Sequence, residues 1–153
     1  MINSKEDVTV THKLISKKSG KTELINNGEI ATFLHKHLDE YGDDIDAIQK
    51  AINYVFDKVG GYVLVQFISQ EISGVVVVNE TGMSGYIPEN ILVYIAMDKT
   101  FRGKGYGKIL MKNAIKVAEG DIALHVEKDN PARFLYEKLG FTNPYLEMRL
   151  KKQ

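Results

Sequence analysis

Apolar residues along this chain recur with two periods, and the points where one period gives way to the other mark its elements. Residues 8–15 alternate, with Val8 and Val10 opposing Thr9, Thr11 and Lys13, which predicts a strand at one sheet edge. Ile30, Phe33, Leu34, Leu38 and Tyr41 follow at helical spacing, as do Ile45, Ile48, Ile52, Val55, Phe56 and Val59. Two amphipathic helices are expected there, broken and recapped by Gly42 and Asp43-Asp44. Gly60-Gly61 ends the second. Continuous apolar runs at 62–68 and 75–78 then predict a hairpin, with a third run at 91–97 beside it. Beyond it strand and helix alternate: a helix over 105–118 with Ile109, Leu110, Ala114, Ile115 and Ala118 inward, a strand over 121–126, a helix over 131–139 and a last strand over 145–150. Pro131 suits the first turn of its helix. The sum is a mixed α/β sheet of roughly six strands with helices on both faces. No linker, repeat or low-complexity stretch divides residues 1–153, so one domain is expected.

Composition narrows the classes of function. A chain of 153 residues, 44% hydrophobic, is long enough to bury a core of its own. Twenty Lys and Arg balance twenty Asp and Glu, which argues against a nucleic-acid partner bound through counterion release. With no cysteine, neither a disulfide framework nor a thiolate nucleophile is available. Residues 1–7 lack the apolar core of a signal peptide, and no apolar run approaches the ~18 residues of a membrane span. A cytoplasmic protein without a membrane partner is expected. His35 and His37 fall on different sides of their helix and His125 lies in a strand, so no metal site is expected.

The most informative segment is Arg102-Gly103-Lys104-Gly105-Tyr106-Gly107, set between the third apolar run and a helix. Glycines at alternate positions permit positive φ and leave the backbone open to a ligand. The helix that follows adds unpaired amides and the positive end of its dipole, an arrangement suited to a pyrophosphate. Arg102, Lys104 and Lys108 add positive charge. A Walker A loop would need glycine where Arg102 stands and Ser or Thr where Ile109 stands. The dinucleotide fingerprint would need a glycine or alanine at Lys108 or Leu110. Neither template fits.

The segment resembles the acetyl-CoA loop of the GNAT N-acetyltransferases, Arg/Gln-x-x-Gly-x-Gly/Ala, through Arg102, Gly105 and Gly107. Downstream, Asn130, Ala132, Tyr136, Gly140 and Phe141 resemble the same family's Asn-x-x-Ala-x-x-x-Tyr-x-x-x-Gly-Phe pattern, with Ala132 one position early. The predicted order of elements follows the family over nearly the whole chain. The resemblance implies an α/β GNAT fold with a mixed sheet of six to seven strands, the fourth and fifth splayed around a pantetheine arm. One departure is visible. The family closes with two long strands after Gly-Phe, whereas here 142–153 remain and Pro144 interrupts them, so the sixth strand is expected to be vestigial.

The resemblance also assigns roles. Acetyl-CoA would be the cosubstrate, its pantetheine beside Ile95, Ala96 and Met97 and its phosphates on Gly103, Lys104, Gly105, Tyr106, Gly107 and Lys108, with Arg102, Asn130 and Arg133 as further contacts. Tyr136 matches the tyrosine that serves as general acid toward the CoA sulfur, and it can equally be a packed helix aromatic. Glu89 stands where the histone-acetyltransferase branch places its general base, and it can equally be a solvated carboxylate after Pro88. Asn130 suits both a pantetheine contact and a helix-capping turn. Asp39, Glu40, Asp43, Asp44 and Asp46 gather at the turn between the first two helices, as caps and solubilising charge or as an attraction for a cationic amine. The expected activity is acetyl transfer from acetyl-CoA to a primary amine of a small molecule or peptide, by direct attack in a ternary complex, in a monomer or homodimer. The alternatives are a non-catalytic acyl-CoA-binding or regulatory module, and an interaction domain whose loop binds nothing.

Overall fold

The computed structural model describes residues 8–153; the segment read above for a signal peptide lies outside them. Its sheet has five strands in chain order: β1 Val10–Ile15, β2 Gly61–Ile68, β3 Glu71–Glu80, β4 Asn90–Met97 and β5 Ile122–Leu124. The first four pair antiparallel and β5 joins β4 in parallel. Five helices surround it: α1 Glu23–Asn26, α2 Glu29–His37, α3 Ile45–Tyr54, α4 Tyr106–Val117 and α5 Ala132–Lys138. Among the described residues no helix is long and apolar enough to cross a membrane.

The central strands β2 and β3 are buried on both faces, which explains why they read as continuous apolar runs. Val63, Val65, Val75 and Val77 point to one side, against Ile30 and Leu34 of α2 and Ile48 and Ile52 of α3. Leu64, Val76, Val78 and Leu92 point to the other, against Leu110, Met111 and Ala114 of α4 and Tyr136 of α5. Val63, Val65 and Val75–Val78 have no exposed surface, and fully burying such a side chain stabilises the fold by roughly 1.5–3 kcal/mol.

Several elements differ from the expectation, and β5 spans Ile122–Leu124 rather than 121–126. The helix read to Val59 ends at Tyr54, because Val55, Phe56 and Asp57 donate three residues back and tighten the chain into turns. The helix read through Tyr41 ends at His37, and Asp39–Tyr41 form a separate 3-10 turn with Asp39 at φ 54°. The strand expected over 145–150 is not a member of the sheet. Among the described residues there are five strands rather than six or seven, since β5 is too short to seat a neighbour and Pro144 has no N–H to offer one.

Candidate active site

β4 and β5 touch only along Asn90↔Ile122, Ile91↔Ala123 and Leu92↔Leu124. Immediately afterwards the β3–β4 register slips, Val78 facing Leu92 and Val77 facing Tyr94, so Val93 is an extra residue in a bulge. A bulge bends its strand, and here β4 turns away while β5 stops. The half of β4 from Val93 to Met97 therefore has no strand beside it on that edge. Between the parted strands lies a cavity of about 550 Å³, lined among others by Ile95, His125, Glu127, Asn130 and Tyr136. Leu38, Tyr41 and Asp43 close it from the side of α2.

At the carboxyl end of β4 the chain makes a 3-10 turn, Lys99–Phe101, capped by Asp98, and enters the glycine loop. Gly103 and Gly105 have φ of 80° and 87°, in the left-handed region where a side chain is strained, and their Cβ positions look into open space. Gly107 differs. It lies in the first turn of α4 with ordinary helical backbone, and an added Cβ would sit 3.5 Å from Met97 Cγ. Among the described residues the amides of 103–108 donate to no protein acceptor, the first helical bond of α4 being Ile109 N to Gly105 O. No acidic side chain occupies this first turn. A row of free amides at a helix N-terminus, flanked by exposed Lys104 and Lys108, is suited to an anion.

The start of α4 is held from below by a residue that periodicity alone does not flag. Gln66, fully buried in β2, donates through Nε2 to the carbonyl of Tyr106 at 3.1 Å and accepts from Ser73 Oγ at 2.9 Å. A polar residue inside an apolar strand run was the only signal of this role.

Arg102 does not extend over the loop. Its Nε donates to Met97 O at 3.0 Å, one terminal nitrogen donates to His37 O at 2.7 Å, and the other meets Asp39 Oδ2 at 3.3 Å. Asp39 is also 2.9 Å from Lys99 Nζ. Hydrogen bonds from Lys99 and then Arg102 hold its carboxyl below the usual carboxylate range. Met97 O is thereby occupied by Arg102, while Ile95 lines the cavity and Ala96 packs into the core on the opposite face.

Tyr136 is 8% exposed, and its ring packs against Phe141 at 5.9 Å between centroids. Its hydroxyl makes no hydrogen bond among the described residues, and burial pushes its pKa up to about 12. Asn130 caps α5 by accepting from Ala132 N at 2.9 Å and also lines the cavity. Arg133 is held along α5 by Glu137, at 3.1 Å, and by the carbonyl of Lys128.

Glu89 lies elsewhere. It precedes β4, its carboxylate fills the space beside Gly120 where a Cβ would collide with it, and it is not in the cavity wall. It stands six positions before Ile95, roughly 20 Å of extended chain. The carboxylates that do reach the cavity are Asp43, Glu127 and Glu147. Asp43 accepts from the Tyr94 hydroxyl at 2.5 Å, and Glu147 pairs with Arg149. Glu127 has no ion pair or side-chain hydrogen bond among the described residues. Of the acidic residues grouped by sequence, Asp44 caps α3 and Asp39 binds Arg102, so only Asp43 faces the cavity.

A mixed sheet with two strands parted around a cleft, followed by a glycine loop of free amides at a helix N-terminus, is suited to an extended ligand that carries an anionic group. The sequence profile of the acetyltransferase (GNAT) family matches residues 29–141, and the chain belongs to that family. Solved structures share the fold at low identity. A possible acetyltransferase from Clostridium difficile 630 superposes with a TM-score of 0.66 at 18% identity, over 94% of this chain and 97% of that one. The aminoglycoside N-acetyltransferase AAC(6')-Iy in complex with CoA superposes with a TM-score of 0.66 at 14% identity, over 95% and 96%. A ribosomal-protein-alanine N-acetyltransferase from Brucella melitensis biovar Abortus 2308 does so with 0.63 at 16% identity, over 94% and 99%. No curated protein sequence matches the chain.

Proposed function

We propose that this protein transfers an acetyl group from acetyl-CoA to a primary amine of a small molecule or peptide, by direct attack within a ternary complex. The observation that carries the reading is the run of unpartnered amides at 103–108, which follows the end of β4, the strand whose unpaired edge lines the cleft at Val93, Tyr94 and Ile95. The amides and the dipole of α4 hold the pyrophosphate, and Lys104 and Lys108 stand near it. The unpaired edge of β4 around Ile95 receives the amide-bearing pantetheine arm as a further strand would be received. A β4 N–H on that edge donates to the thioester oxygen as charge develops there.

The amine nitrogen attacks the thioester carbonyl carbon, the carbon–sulfur bond breaks, and one proton passes overall from nitrogen to sulfur. Tyr136 donates to the departing sulfur. Its raised pKa keeps the phenol protonated through the working range, and the burial that raises it also favours protonation of a thiolate beside it. Glu127 receives the ammonium proton through water, being the cavity carboxylate without a protein partner.

Two measurements test the reading. CoA should raise the melting temperature, because a ligand specific to the folded state stabilises it by mass action. Acetyl-CoA mixed with the protein and a panel of primary amines should release free thiol for at least one of them. No shift with CoA would refute the loop assignment, whereas a shift without thiol release from any amine would leave a binding module in place of an enzyme.

A further inference from the structure

Three polar side chains, one each from β1, β2 and β3, meet beneath the first turn of α4. His12 and Gln66 are partners across the β1–β2 pair. Ser73 is the extra residue of a bulge in β3, since Gln66 faces Gly74 and Phe67 faces Ile72. Gln66 Nε2 lies 3.1 Å from Tyr106 O and 3.2 Å from His12 Nε2, and Gln66 Oε1 accepts from Ser73 Oγ at 2.9 Å. A carbonyl oxygen can only accept, so the atom beside Tyr106 O has to be the amide nitrogen, whose two hydrogens go one to Tyr106 and one to His12. His12 Nε2 is therefore an acceptor, which fixes a neutral ring with its hydrogen on Nδ1. In the protonated ring Nε2 carries a hydrogen too, and two donors would confront each other at 3.2 Å. Turning the Gln66 amide over relieves that contact only by setting Oε1 against the Tyr106 carbonyl. Protonated His12 and the bond from Gln66 to α4 are thus incompatible.

The Tyr106 carbonyl belongs to the same planar trans peptide as the Gly107 N–H, which consequently points away from Gln66. That N–H is one of the amides without a protein acceptor, and a bond to the carbonyl of a peptide polarises the N–H across it. We propose that His12 is a positioning residue for CoA: its neutral ring keeps the Gln66 amide in the orientation that fixes the Tyr106–Gly107 peptide, and its protonation releases that peptide and weakens CoA binding. The inference rests on the reading of 103–108 as the pyrophosphate site. Around the ring, Val10 and Leu14 of β1 and Leu64 and Ile68 of β2 share its face. The loop and α4 bring the Tyr106 phenol and the lysines 104, 108 and 112, and β3 brings the exposed Glu71 opposite Ile68. Burial lowers the pKa of His12 from the ordinary 6.5. The bond to α4 is accordingly present above that pH and is lost as pH falls through the lowered value.

Calorimetric titration of CoA into the full chain at about pH 7.5 and about pH 5 tests it, with His12→Gln for comparison and circular-dichroism melting to check folding. The glutamine amide oxygen can accept from Gln66 at either pH, and any titration of the CoA phosphates acts on both proteins alike. Between the two pH values the wild type should lose about tenfold more affinity than His12→Gln, the worth of roughly one hydrogen bond. The same pH dependence in both proteins would overturn the proposal while leaving the loop assignment in place; no binding of CoA by either protein at either pH would overturn both. Nitrogen-15 spectra of the wild type without CoA give a second reading that needs no variant. His12 should carry its hydrogen on Nδ1 when neutral, and the side-chain amide resonances of Gln66 should shift as His12 titrates below 6.5. A neutral ring with its hydrogen on Nε2, or Gln66 resonances indifferent to that titration, would overturn the proposal whatever the affinity for CoA.

Discussion

Arg102 and Asp39 lie 3.3 Å apart, and through this pair the residue that opens the glycine loop is tied to the end of α2 instead of reaching over the loop. The same guanidinium binds His37 O and Met97 O, so one side chain joins the last turn of α2, the end of β4 and the loop. Leu38 and Tyr41, which wall the cavity, lie on either side of Asp39. Arg102 thus acts as a positioning residue for both sides of the cleft. Asp39→Asn is expected to weaken acetyl-CoA binding in the same direction as Arg102→Gln, with the double variant no worse than Arg102→Gln alone. Calorimetric titration of the four proteins checks this. Additive losses, or tighter binding in Asp39→Asn, would instead mean that Arg102 acts directly on the phosphates. Asp39's carboxyl is held below its ordinary 3.8 in the folded protein, so the stability it contributes is present above that pH and is lost only as pH falls through the lower folded value. Binding measured at pH 5 should therefore keep the same coupling.

Tyr136 lines the cleft, and among the described residues its hydroxyl makes no hydrogen bond in the fold. Removing that hydroxyl leaves no buried acceptor unpaired, so Tyr136→Phe should melt close to the wild type. If the phenol protonates the departing sulfur, kcat should fall by about 100-fold or more, with little change in acetyl-CoA affinity. With the pKa raised to about 12 by burial, the acid form persists on the alkaline side, and the rate should not decline from this group until pH rises toward that value. A pH–rate profile paired with calorimetry on the Phe variant decides the matter; equal loss of affinity and turnover would reduce Tyr136 to a binding contact.

The sequence shows the sheet and the loop more fully than the chemistry of the cleft, and the reason is physical. β2 and the middle of β3 are buried on both faces and α2, α3 and α4 on one, so their residues carry the period of their surroundings. The loop is legible because φ of 80° and 87° at Gly103 and Gly105 restricts those positions to glycine. The parting of β4 from β5 leaves no such trace: the bulge at Val93 adds one apolar residue to an apolar run. Glu89, thirteen residues before Arg102, stands just before β4 with its carboxylate against Gly120, a contact that counting along the strand does not reveal. Arg102 stands out in the sequence by its charge and its place in the loop pattern, but its three acceptors come from His37, Asp39 and Met97, two of them distant in sequence. Only the fold brings them together.

The two glutamates make a direct comparison. Glu127 faces the cavity and Glu89 does not, so the placement of the proton acceptor predicts opposite outcomes for two isosteric changes. Glu127→Gln should lower kcat at neutral pH by about 100-fold while leaving acetyl-CoA affinity intact. Glu89→Gln should leave kcat near the wild-type value. Steady-state kinetics with any accepted amine distinguishes them, and a loss confined to Glu89→Gln would return the base to the start of β4.

The glycines of the loop should respond differently to the same added methyl group. At Gly105 the Cβ has space, but φ of 87° imposes a backbone cost of roughly 1–2 kcal/mol on an alanine, and relaxing it would turn the neighbouring amides. At Gly107 the backbone is helical and the Cβ would make an ordinary contact with Met97 Cγ at 3.5 Å. Gly105→Ala is therefore expected to weaken CoA binding and lower the melting temperature, whereas Gly107→Ala should retain both. Thermal melts with and without CoA test the pair; equal effects would show that φ is not what reserves position 105 for glycine.

The β2–β3 hairpin turns through Ser69 and Gln70, with φ of 48° and 75°, although neither is glycine. Ile68 and Glu71 pair directly across this two-residue connection, and positive φ at both positions is the signature of a type I′ turn. Such a turn matches the right-handed twist of its strands and favours Asn followed by Gly, because other side chains are strained in the left-handed region. The strain at Gln70 should thus be relieved by glycine, and that at Ser69 reduced by asparagine, which tolerates this conformation. The double change Ser69→Asn, Gln70→Gly is expected to raise unfolding free energy by roughly 1 kcal/mol, after allowing for the added freedom of glycine in the unfolded chain. The turn lies at the end of β2 away from Gly61, and neither residue lines the cavity, so CoA binding should not change. Urea denaturation of the two proteins measures the difference, and a variant that unfolds at the same or lower urea concentration would show that Ser69 and Gln70 bear no strain in the folded hairpin.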